Sequence, residues 1–290
     1  MSALEKIQLL PVWKGKVTPV LLSGGLSNEC FTVEDNGEKY VVRFGEDFPV
    51  HHVFRENEIM ASRAASEAGF APEVVYAEPG AMVVRFIEST TYDEKAVREN
   101  IEPLADLMRR FHNEMPRFVS GPGRLFWVFH VIRDYVRTLE AGNSRMCPHL
   151  PDYLALSDEF EAAQPPLPII YAHNDLLPAN FIDDGKKIWL IDYEYSAHST
   201  PMFDLAGIAS NALMSREEDE VLLAAYFGEK PSPEFIKAHA AMKCASLLRE
   251  AMWSMVSELH LNAPGVDYVA YTAENLDRLN AALDAYRSNY

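Results

Sequence analysis

His173, Asp175 and Asn180 stand in an H-x-D-x-x-x-x-N pattern, and Asp192 closes the next apolar run. These residue types at this spacing suit phosphoryl transfer. A carboxylate accepts the proton of an attacking hydroxyl, while an amide oxygen and a second carboxylate hold magnesium against the phosphates. In that chemistry Asp175 orients the hydroxyl, and Asn180 and Asp192 are the metal ligands. His173 is placed beneath the loop, bonding its backbone, and is not the base. Taken singly, Asn174-Asp175 and Asp183-Asp184-Gly185 are also common turn formers, and His173 also reads as a satisfied core histidine.

Two short apolar runs, residues 167–172 and 188–191, must position these groups, with Asp183-Asp184-Gly185 turning the chain between them. The pattern predicts short strands flanking a catalytic loop. The segment from Tyr171 to Tyr195 resembles the choline/ethanolamine kinase group of the aminoglycoside phosphotransferase-like superfamily, whose fold is a cousin of the protein kinases. Leu177 stands where the protein-kinase catalytic loop carries a lysine. Asp192-Tyr193-Glu194-Tyr195 is similar to the D-F-E-Y of choline kinases. Both features imply a small-molecule kinase that uses ATP and Mg2+.

Upstream, Gly24 and Gly25 let a backbone approach a phosphate, and Ser27 and Asn28 add donors; this resembles the family's nucleotide loop, although a Gly-Gly is also an ordinary hairpin turn. Asn36-Gly37 signals a hairpin. Its returning strand carries Arg43, an arginine that the resemblance sets against the α and β phosphates, as in choline kinases; the alternative is a surface arginine with its stem on the sheet. A helix is predicted over residues 50–68. The resemblance assigns Glu56 on it as the partner of Arg43, which leaves Glu58 a solvated charge. Residues 81–87 read as the strand that enters the interlobe hinge, putting Arg85, Phe86 and Ile87 beside the adenine through their backbone groups.

The chain then turns helical: residues 101–111 carry an apolar stripe that ends at His112, read as a core or capping histidine. Further helices are predicted over residues 125–139 and 152–164, before the catalytic stretch. Beyond it, Asp204 resembles the family's buried aspartate that receives catalytic-loop N–H groups; it also reads as a first-turn aspartate favoured by the helix dipole. Residues 233–287 read as helical with a wide apolar face. Within them, residues 251–256 resemble the choline kinase helix whose tryptophans cage a trimethylammonium. Trp253 fits one cage position, and Glu250 stands where choline kinases of animals have a second tryptophan. Glu194, Tyr195, Glu250 and Trp253 are therefore the candidates for the cationic end of the acceptor.

A formal charge of −17, from 26 Lys and Arg against 43 Asp and Glu, disfavours nucleic acid and anionic membranes and gathers cations. Acidity of this kind also serves solubility alone. Cys30, Cys147 and Cys244 form no C-x-x-C pair, which suits free thiols in a reducing compartment. The early apolar run is broken by Pro11 and lacks a signal-peptide cleavage pattern, so a cytoplasmic protein without membrane insertion is expected.

The expected architecture is α+β and bilobal, a protein-kinase-like fold: residues 1–88 form a small antiparallel β-sheet lobe with one helix, and residues 89–290 a larger, mostly α-helical lobe that holds the acceptor. The expected activity is ATP-dependent phosphorylation of a small cationic alcohol, choline or ethanolamine. Thiamine or an aminoglycoside as acceptor, or a nucleotide-binding pseudokinase, are the alternatives. The sequence carries no signal for an oligomeric state.

Overall fold

The computed structural model describes residues 3–22, 29–261 and 265–290. Gly24, Gly25, Ser27 and Asn28 lie outside the described residues.

A short helix, α1 (Ala3–Leu9), precedes an antiparallel sheet built from β1 (Val20–Leu22), β2 (Glu29–Asp35), β3 (Glu38–Phe44), β4 (Val74–Glu78) and β5 (Ala81–Arg85), in the order β1-β2-β3-β5-β4. The β2–β3 turn is the predicted Asn36-Gly37 hairpin, with both residues at positive φ (52° and 81°), as a type I′ turn needs. Alternation along β2 and β3 sends Phe31, Val33, Tyr40 and Val42 into a core shared with Ile7 of α1, and turns Arg43 to the other face.

The helix α2 (Arg55–Glu67) begins later than the sequence pattern implied. Residues 49–51 make a 3-10 turn, His52 adopts a left-handed conformation, and the Arg55 N–H is received by the Asp47 carboxylate at 2.7 Å. That side-chain bond supplies the start signal, since Phe54 at the N-cap offers no oxygen.

Past β5 the chain enters a helical region. Its elements are β6 (Thr90–Thr91), α3 (Glu94–Glu99), α4 (Ile101–Glu114), α5 (Val128–Ala141), α6 (Leu150–Ala162), β7 (Ile170–Ala172), β8 (Phe181–Asp183), β9 (Ile188–Leu190), β10 (Ala197–Ser199), α7 (Pro201–Asn211), α8 (Arg216–Phe227), α9 (Pro233–His260) and α10 (Tyr268–Asn289). The sheet-plus-helix and helical halves are those of the expected α+β fold. The stretch 233–287, read as one helical run, is two helices packed along each other, α9 and α10.

Around the catalytic loop the strands pair differently from a simple flanking pair. Asp183-Asp184-Gly185 turns β8 into β9, β6 extends that ladder, and β7 pairs instead with β10. Loop residues 173–180 therefore run between two small sheets, each pinned to helices by buried apolar groups such as Tyr171, Phe181 and Leu190 against Leu104, Met108 and Phe111 of α4. Among the described residues, no helix is long and apolar enough to cross a membrane.

Candidate active site

The loop after β7 is held from below by one carboxylate. Asp204, in the first turn of α7, is 1% exposed and receives the backbone N–H of His173 at 2.8 Å and of Asn174 at 2.7 Å. His112 Nε2 lies 2.9 Å from the same carboxylate, and its Nδ1 meets the Tyr226 hydroxyl at 2.7 Å. Burial alone raises an aspartate's pKa, but the His112 bond and charge, with His173, hold Asp204 below the usual range. His112, expected as a core histidine, is buried as expected and also orients this aspartate; the stripe on α4 gave no signal of that partner.

His173 is fully buried. Its Nε2 lies 3.0 Å from the Ile191 carbonyl and its ring packs 4.9 Å from Tyr193, while burial lowers its pKa and keeps it neutral. This is the placement beneath the loop that the sequence suggested. Asn174, read in the sequence only as a turn former, adopts φ 64° and donates to the Tyr195 carbonyl at 3.1 Å. Asparagine tolerates that left-handed backbone better than most residues.

Asp175 and Asp192 face one cleft of about 510 Å³ between the sheet and the helical region. Its apolar end is formed by Val41, Val84, Ile182 and Ile191, and its polar middle by Arg43, Asp175, Asn180 and Asp192. Burial pushes the Asp175 carboxyl well above the usual carboxylate range; the Arg249 charge opposes the shift, and Asp192, Glu250 and Glu194 add to it. Asn180 donates through Nδ2 to the Asp175 carbonyl at 2.8 Å, which fixes the loop and leaves its Oδ1 as an acceptor. Asp192 holds φ 69°, an uncommon conformation for aspartate.

Arg43 sits at the centre of a cluster of charges. Its Nη1 lies 2.9 Å from Glu58 Oε1, and its Nη2 lies 2.9 Å from Asp192 Oδ1 and 3.0 Å from Glu194 Oε2. A second arginine, Arg55, bonds Glu58 at 2.6 Å and Glu194 at 3.0 Å. The helix partner of Arg43 is thus Glu58, and Glu56 is exposed on the outer face of α2. The correction follows from helix geometry: residues two apart face different directions, and Glu58 lies on the buried face of α2 with Arg55, Ala61, Ser62 and Ala65. Glu194, expected against the acceptor, lines the cleft but commits Oε2 to both arginines, and burial with Asp192 raises its pKa despite them.

At the hinge, the Arg85 and Phe86 N–H groups are received by the Glu73 and Lys39 carbonyls, both at 2.9 Å, so those two donors are not available to a base. The Arg85 guanidinium pairs with Glu73 and Glu38. Phe86 and Ile87 line the cleft.

The other end of the cleft meets α9. Trp253 Nε1 donates to the Tyr195 hydroxyl at 3.0 Å, and Glu250 receives the Tyr271 hydroxyl at 2.9 Å and Arg249 Nη1 at 2.9 Å. Tyr195, Glu250 and Trp253 are therefore brought together as the sequence implied. Arg249, Tyr271 and His51, which stacks on Trp253 at 4.8 Å, were not anticipated. They lie on α9, on α10 and in the turn before α2, so their meeting is a product of the fold.

A family model of choline/ethanolamine kinase matches residues 20–221, most of the chain. The chain belongs to the choline/ethanolamine kinase family. It is 28% identical to protein LicA of Haemophilus influenzae over 270 residues, covering 87% of this chain and 96% of that protein. It is 25% identical to a probable ethanolamine kinase of Arabidopsis thaliana over 294 residues, covering 86% of this chain and 75% of that one. Among solved structures, a choline/ethanolamine kinase family protein from Mesorhizobium loti superposes with a TM-score of 0.78 at 26% identity, covering 97% of this chain and 93% of that one. Choline kinase LicA from Streptococcus pneumoniae does so at 0.74 and 21%, covering 96% and 97%. The protein-kinase-like fold and an ATP-dependent phosphotransferase with an alcohol acceptor follow from that membership.

Proposed function

We propose that this kinase transfers the γ-phosphate of ATP to the hydroxyl of a small cationic amino alcohol, choline or ethanolamine. The observation that carries the reading is the continuity of the cleft. It runs from an apolar end at Val41, Val84, Ile182 and Ile191, past Asp175, Asn180 and Asp192, to a carboxylate and aromatic rings at Glu250, Tyr195 and Trp253.

In this reading Asp175 receives the hydroxyl and takes its proton as the phosphoryl group leaves. Burial raises the pKa of Asp175, and the positive charge of the acceptor's ammonium acts to lower it. Asp204 and His112 orient the loop that carries it. The donor set also fits magnesium: Asn180 and Asp192 are hard oxygen ligands, few enough to leave places for phosphate oxygens and water, which is how Mg2+ is usually held. When bound, the metal neutralises charge on the transferring phosphate. Arg43, held by Glu58 and Glu194, presents its guanidinium beside Asp192, where the nucleotide's phosphates belong. Gly24, Gly25, Ser27 and Asn28 are proposed to cover those phosphates, and Phe86 and Ile87 to border the adenine.

The test is magnesium-dependent ADP release from ATP with choline, ethanolamine, thiamine and one aminoglycoside. Selective turnover of choline or ethanolamine is expected. Turnover of thiamine or the aminoglycoside instead would keep the phosphotransfer chemistry and overturn the acceptor.

A further inference from the structure

We infer that the acceptor end of the cleft is built for an ammonium that still carries N–H bonds, as in a primary amino alcohol, and selects against a trimethylammonium. The inference rests on the amino-alcohol kinase reading above and divides its two substrates.

A trimethylammonium has no donor, so it is held by free aromatic faces. Here the candidate faces are partly occupied by the protein itself. Arg249 Cζ lies 4.4 Å from the centroid of the Tyr195 ring, where a ligand cation would sit. One face of Trp253 is stacked on His51 at 4.8 Å with 29° between the planes. His51 is fixed there, because its ring nitrogens meet the Tyr135 hydroxyl at 3.3 Å and the Ser257 hydroxyl at 3.1 Å. The indole is only 8% exposed and its N–H is bonded to Tyr195.

A carboxylate facing the cleft beside these rings is Glu250. Each of its oxygens accepts one bond, from Tyr271 and from Arg249. A carboxylate offers about four lone-pair positions, so two remain for a donor. An N–H-bearing ammonium fills them with short, charge-assisted bonds. Methyl groups cannot, and they would strip water from the carboxylate without replacing its hydrogen bonds.

Arg249 sharpens the choice. It is 4% exposed, and its Nε and Nη2 have no hydrogen-bond partner among the described residues. An arginine does not deprotonate, so a fixed positive charge stands beside the acceptor's cation. Beside it, a ligand cation is favoured most in direct contact with Glu250, an approach that three methyl groups prevent.

The experiment is steady-state phosphorylation by the full chain, with ATP and magnesium, of ethanolamine, N-methylethanolamine, N,N-dimethylethanolamine and choline. We expect kcat/KM to fall along the series, with choline at least about tenfold below ethanolamine. A flat or rising series overturns the inference while leaving the kinase reading intact. Silence with all four overturns the reading and the inference together. In Glu250→Gln the ethanolamine-to-choline ratio should collapse toward one, and in Glu250→Trp it should move toward choline. Because both are ratios within one preparation, a general loss of folded protein does not produce them, and an unchanged ratio in both variants overturns the role of Glu250.

Discussion

Replacing Glu58 by glutamine removes a negative charge that two buried arginines share, while Glu56→Gln removes one from solvent. Glu58 Oε1 and Oε2 lie 2.9 Å from Arg43 and 2.6 Å from Arg55, and all three side chains are largely buried. At an effective dielectric of about 20, each pair represents ~6 kcal/mol of raw Coulomb attraction. Much of that is offset by desolvation, and Arg43 keeps Asp192 and Glu194 while Arg55 keeps Glu194. Breaking a buried pair from one side typically costs ~3–5 kcal/mol. The remaining partners put Glu58→Gln at the lower end, about 3 kcal/mol by urea unfolding. Arg43 also loses the anchor on its Nη1, so kcat/KM measured against ATP should drop at least about tenfold. Glu56→Gln should stay within ~0.5 kcal/mol and leave ATP kinetics unchanged. The reasoning is refuted if the two variants behave alike, or if Glu56→Gln is the one that impairs ATP use.

Asp175→Asn should abolish acceptor-dependent ADP release while ATP affinity, read by nucleotide titration, stays within a few-fold; parallel loss of both would remove Asp175 from the role of base. Asp204→Asn leaves at least one of three donors, two backbone N–H groups and His112, poorly matched, and should cost roughly 2–4 kcal/mol of stability together with a larger fall in kcat than in ATP affinity. A kcat equal to the wild type's would show that the loop needs no such support. Burial, with the Arg249 charge, lowers the His51 pKa from an ordinary 6.5 to about 3. The unfolded chain therefore binds a proton below pH 6.5 that the folded one refuses, so this stability is complete above that pH and is lost as pH falls toward 3. Between pH 7 and 5 the loss is about 2 kcal/mol, and His51→Gln should flatten the pH dependence of unfolding by that amount. An unchanged slope would mean that the imidazole is not held neutral.

The residues proposed for phosphotransfer were legible as a group in the sequence because they lie close together and each sits at the edge of a short apolar run. His173, Asp175, Asn180 and Asp192 needed no long-range information beyond the turn at Gly185. Asp204 was legible for the same reason, standing just inside a helix that follows the loop. What misled at the arginine was the resemblance. Both Glu56 and Glu58 lie on α2, and the resemblance pointed to Glu56, whereas helical spacing puts Glu58 on the face of the buried Ala61 and Ala65. Asn174, Arg249 and His51 have ordinary neighbours in sequence, and they become informative only when packing brings them against Tyr195 and Trp253.

The four consecutive residues Asp192 to Tyr195 show how far a short segment can organise a cleft. Asp192 faces Arg43 on the nucleotide side, and Tyr193 packs beneath the loop, its hydroxyl 3.3 Å from the Leu190 carbonyl. Glu194 returns to Arg43 and Arg55, while Tyr195 receives the indole of Trp253 on the acceptor side. The left-handed backbone at Asp192 turns the chain just past β9, and the next three side chains reach three different partners. A phenylalanine at position 195 would keep the ring under Arg249 yet leave the Trp253 N–H without its acceptor. Its effect should therefore fall on acceptor KM and leave ATP KM alone, and equal effects on both would mean that the two ends of the cleft are not held separately.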